Sequence, residues 1–175
     1  MEPVSLRLGR RSDALTVAAL SVQVFLDTYA TAGVRPDLAR EAFREYSEQA
    51  FVERLSMSGC RFVLAEAQDA LLGFAEVQCE SRKAPGAAPR GFELVRLYVQ
   101  PQAQRAGVGS ALLREAEKIA SSAHSPAIWL TVWEENVRAL AFYARSGYAD
   151  VGATDYMFEG KAYGNRVVAK QLSVA

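Results

Sequence analysis

Apolar residues along this chain recur in short runs that follow one of two periods. A period of two residues predicts a strand, and a period near 3.6 residues predicts an amphipathic helix. The strand-like runs are residues 4–8, 61–67, 71–80, 94–99, 127–132, 148–153 with 156–158, and 166–172. The helix-like runs are residues 14–29, 37–55, 110–120 and 136–145. In chain order they predict a mixed α/β fold, with antiparallel hairpins at both ends and helical crossovers in the middle.

Residues typical of element ends support this interpretation. Ser12 or Asp13 is available as the N-cap of the first helix, and Gly147 follows the last helix as a C-cap glycine. The run at residues 37–55 fits one or two amphipathic helices. Residues 81–91 combine Pro, Gly and Ala, and they are predicted as a solvated loop.

Length and charge limit the classes of protein that this sequence can represent. With 175 residues, the chain is predicted to form one domain, residues 1–175. Lys+Arg and Asp+Glu both number 20, so no net field favours binding to nucleic acid or to an anionic membrane. No window approaches the roughly 20 apolar residues that span a bilayer, and the N-terminus lacks a signal-peptide pattern. We therefore expect a cytoplasmic protein with no nucleic-acid or membrane partner.

Soft metal ligands are too few and too scattered to predict a metal site. Cys60 and Cys79 are isolated thiols outside any CxxC pattern, and they are predicted to be small buried or half-buried apolar residues. His124 is the one histidine and lies in a segment with turn composition, so it is predicted to be a loop residue.

The segment QRAGVG at residues 104–109 lies between a strand-like and a helix-like run. The first N–H groups of a helix have no intrahelical partner, and the helix dipole adds positive charge there, which favours a phosphate ligand. Gly107 and Gly109 allow a tight turn and close approach of a pyrophosphate, although they can also be plain turn residues. Leu112 replaces the third glycine of a dinucleotide fingerprint, and no Gly-Lys-Ser/Thr ending of a P-loop is present.

Two motifs resemble those of the GNAT superfamily of acyl-CoA-dependent N-acetyltransferases. Gln104, Gly107 and Gly109 match the pattern Gln/Arg-x-x-Gly-x-Gly/Ala of that family, and the segment from Leu130 to Tyr148 is similar to the next motif of the family. The resemblance covers essentially the whole chain. Residues 27–29 and 129–134 also resemble the PaiA-like polyamine acetyltransferase branch.

The resemblance implies a GNAT fold and a binding site for acetyl-CoA. The implied fold has a mixed, mostly antiparallel sheet of six to seven strands, a splayed parallel pair (strands 4 and 5) and about four flanking helices. Strand 4 would pair with the extended pantetheine, and the amides of the glycine turn would bind the pyrophosphate. Arg105 would add a charge-assisted contact, or it is an ordinary solvated side chain. The implied cofactor-binding residues are Leu97, Tyr98, Val99, Gln104, Arg105, Ala106, Gly107, Val108, Gly109, Ser110, Asn136 and Tyr143.

Asn136 and Tyr143 lie seven positions apart on one predicted helix, so they share a face. By family analogy, Asn136 contacts the pantetheine arm and Tyr143 donates a proton to the departing CoA thiolate. Asn136 also fits the N-cap of that helix, and Tyr143 also fits a core aromatic residue beside Phe142.

Glu93 is the leading candidate for the base that frees the amine lone pair, because family members that acetylate histones carry a glutamate base at the same offset before the glycine turn. Glu76 and Glu134 are alternatives, each more readily explained as a surface carboxylate, and a water molecule is another. Because no cysteine lies near the motifs, direct attack in a ternary complex is expected, with a backbone amide near Val99 polarising the thioester carbonyl.

The resemblance places the acceptor cleft near residues 25–48 and 154–165, which carry charges of both signs. The expected acceptor is a primary amine of a small molecule, a polyamine or a peptide. A catalytically silent acyl-CoA sensor or scaffold and a nucleotide-binding regulatory domain are rival functions. The family often forms homodimers, so a homodimer is a further possibility.

Overall fold

A computed structural model of the chain describes residues 3–79 and 84–173. In this part of the chain, the strands are β1 Ser5–Leu8, β2 Cys60–Ala67, β3 Ala70–Gln78, β4 Phe92–Val99, β5 Ala127–Trp133, β6 Ala149–Phe158 and β7 Lys161–Gln171. The α-helices are α1 Ala14–Tyr29, α2 Pro36–Glu45, α3 Glu48–Ser56, α4 Val108–Ser122 and α5 Val137–Arg145. Short 3₁₀ helices precede α1 at Arg11–Asp13 and follow β4 at Pro101–Ala103.

The strands form one seven-stranded sheet in the order β1-β2-β3-β4-β5-β7-β6. β4 and β5 are parallel, whereas β1–β2, β5–β7 and β6–β7 are antiparallel. The predicted mixed α/β fold with a parallel pair formed by strands 4 and 5 is therefore confirmed. Within residues 3–79 and 84–173, no helix is both long and apolar enough to cross a membrane.

The chain divides into two compact units, which are described separately. Unit 1 comprises Met1–Glu76 and Arg96–Glu115, and unit 2 comprises Val77–Val95 and Ala116–Ala175. The expectation of a single domain over residues 1–175 stays a prediction.

Aromatic packing dominates the core of unit 1. Phe51 of α3 packs edge-on against Phe62 of β2 and Phe74 of β3, with ring centroids 6.1 Å from each. Phe62 and Phe74 are 5.9 Å apart, and all three rings are buried. Because each ring removes 150–250 Å² of apolar surface from water, this cluster is a principal attachment of α3 to the sheet.

The core of unit 2 is built on β5 and β7. Trp129 is the largest fully buried side chain, and it clusters with Val167 and Ala169, the latter its direct partner in the strand register. Ala87 and Ala88 pack against this cluster from the segment that precedes β4. These contacts cover one face of the β5–β7 pair.

The structure refines several predicted boundaries. The run at residues 37–55, predicted as one or two helices, forms two, because Tyr46 and Ser47 separate α2 from α3 and the Ser47 hydroxyl accepts a hydrogen bond from the Ala50 amide as an N-cap. α4 begins at Val108, earlier than the predicted start at Ser110. Of the predicted strand 71–80 and loop 81–91, residues 80–83 lie outside the described residues.

The hairpin predicted at the C-terminal end of the fold is present, and its strands are longer than predicted: β6 continues without a break to Phe158, and β7 begins at Lys161, earlier than the predicted start at residue 166. β6 and β7 pair from Ala149 with Ala169 to Phe158 with Lys161, which leaves Glu159 and Gly160 as the turn. Both turn residues have positive φ, as a tight hairpin turn requires.

Asp13 occupies the N-cap position of α1, but its side chain does not cap that helix. Its carboxylate accepts hydrogen bonds from Arg7 Nη1 and Nη2 at 2.8 and 2.9 Å. Arg7 also donates to Glu66 on β2, so this arginine connects β1 both to β2 and to the segment before α1. The ion pair replaces the expected cap because Arg7 presents a planar donor fork to the carboxylate.

The substitution Asp13→Asn tests this ion pair through pH. Hydrogen bonds from Arg7 hold the pKa of the Asp13 carboxyl below its ordinary value of 3.8, so its stabilisation is present above that pH and is lost as the pH falls through the lowered value. We expect Asp13→Asn to lower the free energy of unfolding by about 1 kcal/mol at pH 7, with the difference vanishing toward pH 2. Urea unfolding across this range measures it.

The matched control is Asp150→Asn, which breaks a similar bidentate pair with Arg166 at an exposed position. A smaller loss is expected there, because solvent screens the pair. Equal losses in the two variants, or a loss for Asp13→Asn that does not change with pH, would contradict the assignment.

Candidate active site

β4 is the middle strand of the sheet, yet it is only half-buried along its length. The neighbouring strands carry continuous buried runs, whereas on β4 only Leu94 is fully buried. Within the described residues, its parallel register with β5 covers the pairs Phe92–Ile128 and Glu93–Trp129 and no later residue of either strand. A central strand with this much accessible surface is unusual, and it is available to an extended ligand.

The glycine turn follows β4 within unit 1, after the 3₁₀ helix Pro101–Ala103. Arg105 and Gly107 have φ values of 64° and 83°, while Ala106 between them has no positive φ. Such alternation turns successive amides toward one concave side, the arrangement called a nest. The first i to i−4 bond into α4 runs from the Ala111 amide to the Gly107 carbonyl at 2.9 Å. The amides of Val108, Gly109 and Ser110 precede that bond, and the binding of an anion to them stays a prediction.

Two side chains of this turn have different surroundings. Gln104 is half-buried, and its Nε2 donates to the Val99 carbonyl oxygen at 3.1 Å, which ties the turn to the end of β4. Arg105 is exposed, so its guanidinium can reach a ligand phosphate without a desolvation cost. A Cβ at Gly107 would meet no atom within 4 Å, so the turn is open at this point.

Asn136 and Tyr143 belong to α5 in unit 2, as predicted. Asn136 is the N-cap, and its Oδ1 accepts a hydrogen bond from the Ala139 amide at 3.1 Å. This bond leaves the Nδ2 hydrogens of the same side chain as donors for a ligand. Tyr143 is buried, and its ring lies 5.1 Å from Phe142 and 5.5 Å from Tyr148. Gly147, with φ of 86°, follows the helix as predicted.

Two of the three candidate bases are at least partly accessible. Glu93 is half-buried on β4 in unit 2, opposite Trp129 in the parallel register. Glu134 is exposed directly after β5, where its carboxylate lies against Gly164 of β7. Both positions allow a carboxylate to contact solvent or substrate.

The prediction that Glu76 is a surface carboxylate is wrong. Its side chain is buried on β3 and accepts a hydrogen bond from Arg96 Nη1 at 2.6 Å. The Cys60 thiol lies 3.7 Å from the same carboxylate, and burial together with Glu76 raises the pKa of that thiol to about 12. Because the carboxylate of Glu76 is committed to Arg96, Glu76 is a poor candidate for a base.

Sequence reasoning missed a charged cluster in unit 1 that surrounds this pair. Arg96 Nη2 donates to Glu45 Oε1 at 2.6 Å, and Arg54 Nη1 lies 3.5 Å from the same oxygen. Arg54 is largely buried, and burial lowers its pKa. The available signal was the arginine at position 96, since a charged residue inside an apolar central strand needs a partner when it is buried.

Two tyrosines complete the same region of unit 1. The hydroxyls of Tyr46 and Tyr98 lie 3.1 Å apart, and the Arg96 guanidinium lies 5.5 Å from the centroid of the Tyr46 ring. Burial raises the pKa of both hydroxyls, so both stay protonated at neutral pH.

The other residues singled out in the sequence have ordinary surroundings. Cys60 is buried and Cys79 half-buried, in agreement with the prediction, and both thiols are free. His124 is exposed in the turn after α4, also as predicted. Among the described residues, no group of three His, Cys, Asp or Glu side chains is placed to hold a metal ion.

Comparison with known proteins agrees with this geometry. The sequence profile of the acetyltransferase (GNAT) family matches residues 28–148. The chain therefore belongs to the GNAT family of acetyltransferases, and both the fold and the enzyme class implied by the two motifs are confirmed.

Individual relatives are distant. The chain is 26% identical over 129 residues to an uncharacterised N-acetyltransferase in the pepI 3′ region of Lactobacillus delbrueckii subsp. lactis, covering 74% of this chain and 75% of that one. It is 32% identical over 102 residues to spermidine N(1)-acetyltransferase of Thermoplasma acidophilum, covering 57% and 58% of the two chains. The solved structure of PaiA N-acetyltransferase from T. acidophilum in complex with coenzyme A superposes with a TM-score of 0.77 at 22% identity, covering 97% of this chain and 99% of that one.

Proposed function

We propose that this protein transfers an acetyl group from acetyl-CoA to a primary amine by direct attack. The observation that carries the proposal is the accessible middle strand β4, which is followed by a nest of amides at the start of α4. Membership of the GNAT family, and a structural neighbour described in complex with coenzyme A, support acetyl-CoA as the donor. Acetyl-CoA supplies an acyl group activated as a thioester.

The chain offers suitable groups for each part of the donor. Main-chain groups of β4 at Leu97, Tyr98 and Val99 would pair with the pantetheine arm, as an added strand does. Amides between Gln104 and Ser110 would bind the pyrophosphate, with Arg105 adding a charge-assisted contact. Asn136 would contact the pantetheine arm through Nδ2, since Oδ1 caps α5.

The remaining steps concern protons. A primary amine with a pKa near 10 is mostly protonated at pH 7, and freeing its lone pair costs about 4 kcal/mol. We assign the accepting group to Glu93, directly or through a water molecule. The amine nitrogen then attacks the carbonyl carbon, which an amide near Val99 polarises, the carbon–sulfur bond breaks, and Tyr143 Oη donates its proton to the leaving sulfur. The nitrogen releases a second proton as the amide forms, and this proton restores Tyr143 Oη through solvent.

A polyamine is the acceptor that we favour. The spermidine N(1)-acetyltransferase of T. acidophilum is among the relatives of the chain, and polyamines present primary amines on a flexible chain. Calorimetric titration with CoA, followed by thiol release with spermidine, a monoamine and a peptide with a free N-terminus, tests the proposal. Turnover with an amine supports it, whereas tight CoA binding without turnover on any amine would favour a silent acyl-CoA sensor or scaffold.

The substitution Gly107→Ala tests the anion cradle. The added methyl group would project into open space at a residue with φ of 83°, where we place the pyrophosphate. We expect the Kd for CoA to rise about tenfold, measured by calorimetry, since hydrogen bonds to a charged group contribute about 1.5–3 kcal/mol each.

Gly160→Ala is the matched control, because Gly160 also has positive φ, 74°, and open space around it, but lies in the β6–β7 turn. Both variants carry similar backbone strain, so both should lower the melting temperature. An equal effect of the two substitutions on CoA affinity would remove the glycine turn from the proposed site.

The substitution Tyr143→Phe tests the proton donor. Because it keeps the ring that packs on Phe142 and Tyr148, we expect kcat to fall about 100-fold while the Kd for CoA is preserved. Tyr148→Phe removes a hydroxyl from the same aromatic group and is expected to keep normal kcat. Normal turnover of Tyr143→Phe would take this tyrosine out of the mechanism.

The substitution Glu93→Gln tests the base. We expect about 100-fold slower turnover at pH 7, with the loss shrinking as the pH approaches 10, where the free amine is already abundant. Glu134→Gln is the control and should leave the pH–rate profile unchanged. If Glu134→Gln slows turnover and Glu93→Gln does not, Glu134 is the base. If neither variant changes the pH–rate profile, a water molecule accepts the proton.

A further inference from the structure

The Tyr46 and Tyr98 hydroxyls share one hydrogen bond and have spare capacity for another. In a pair of this kind one hydroxyl donates to the other, so the hydrogen of the accepting hydroxyl and several lone pairs stay available. The structure records one hydrogen bond for each hydroxyl, the 3.1 Å bond between them. Polar groups in buried positions normally satisfy such capacity with a partner, which can be a ligand.

The pair joins two segments of unit 1 with different predicted roles. Tyr98 lies on β4 between Leu97 and Val99, the strand segment that we assign to the thioester arm. Tyr46 directly follows α2, inside the region at residues 25–48 that the family resemblance implies for the acceptor. Tyr46 is buried and Tyr98 half-buried.

The guanidinium of Arg96 fixes the position of this tyrosine pair through two hydrogen bonds to carboxylates. Arg96 and Tyr98 are two positions apart on β4, so their side chains point to the same side of the strand. One guanidinium nitrogen of Arg96 donates to Glu76 of β3 and another to Glu45 of α2, each at 2.6 Å. The guanidinium thereby fixes the end of α2, and with it Tyr46, against β4.

The charges of this cluster cancel. Arg54 and Arg96 face Glu45 and Glu76, two cations against two carboxylates. A protonated amine brought beside the tyrosines would therefore add a positive charge that no carboxylate of the cluster is left to balance. A neutral amine adds none, so the surroundings favour the form of the substrate that carries the lone pair.

We propose that the Tyr46–Tyr98 hydroxyl pair is a subsite that binds the acceptor as a neutral primary amine, and that Arg96 is a positioning residue that holds this pair. A hydroxyl oxygen accepts one N–H of the amine and leaves the nitrogen lone pair free to attack. This inference rests on the proposed function: Glu93 or a water molecule takes the proton of the ammonium ion, and the tyrosine pair holds the neutral amine that results.

The substitutions Tyr46→Phe and Tyr98→Phe test the subsite while keeping the aromatic rings. Each is expected to raise the KM for the amine about tenfold, as the loss of one hydrogen bond predicts, with the Kd for CoA and the melting temperature nearly unchanged. Because the two hydroxyls bond each other, the double variant should lose little more than the worse single variant. Steady-state kinetics at saturating acetyl-CoA, with calorimetry and thermal unfolding alongside, provide these readouts.

The substitution Arg96→Lys tests positioning. Lysine keeps the charge but cannot reach Glu76 and Glu45 with a planar fork, so the KM for the amine should rise at least fivefold while the KM for acetyl-CoA stays the same. Glu45→Gln, at the more exposed end of the cluster, should produce a smaller rise in the same parameter. Glu66→Gln is the matched control, since Glu66 also accepts from an arginine, Arg7, away from the tyrosines.

The outcomes separate the two proposals. If the unmodified protein acetylates no amine, the proposed function and this inference both fail. If it does, an unchanged KM for the amine in both tyrosine variants overturns the subsite alone. Parallel rises in the KM values for the amine and acetyl-CoA, or an effect of Glu66→Gln as large as that of Arg96→Lys, would show that Arg96 acts only on stability.

Discussion

The accessibility of β4 is the constraint on which the rest of the site depends. A strand in the middle of a sheet is normally covered on both faces, because its apolar side chains are removed from water there. On β4 only Leu94 is fully buried, and the described register with β5 ends at the Glu93–Trp129 pair. The strand therefore offers main-chain and side-chain surface just before the turn whose amides converge at the start of α4.

The second determining feature is the ion cluster formed by Arg54, Arg96, Glu45 and Glu76. Breaking a buried pair such as Glu76 and Arg96 typically costs 3–5 kcal/mol, because one charge is left uncompensated, while a well-packed apolar pair can be as stable. Unlike an apolar pair, the charged pair forms hydrogen bonds whose geometry orients the side chains. The planar guanidinium of Arg96 donates to Glu76 of β3 and to Glu45 of α2 at the same time, and Tyr46, which directly follows α2, lies beside Tyr98.

Much of the fold could be predicted from the sequence, because its signals are local. The helix at Ala14–Tyr29, the end of β4 before Pro101 and the glycine after α5 all follow from residue types within one element. The errors arose where a distant partner competed with a local signal. Asp13 has the residue type of an N-cap, yet its carboxylate pairs with Arg7. The last strand was predicted from residue 166, yet it begins at Lys161, where it pairs with β6.

For the site, the sequence by itself determined the family and the position of the glycine turn before α4, because both depend on short motifs of neighbouring residues. Only the tertiary structure decided which carboxylates are accessible and which are paired. Arg96 lies 20 positions from Glu76 and 51 from Glu45, and Tyr46 lies 52 positions from Tyr98. No local pattern specifies such contacts, because they arise only when sheet order and helix packing bring separate segments together and remove their charges from water.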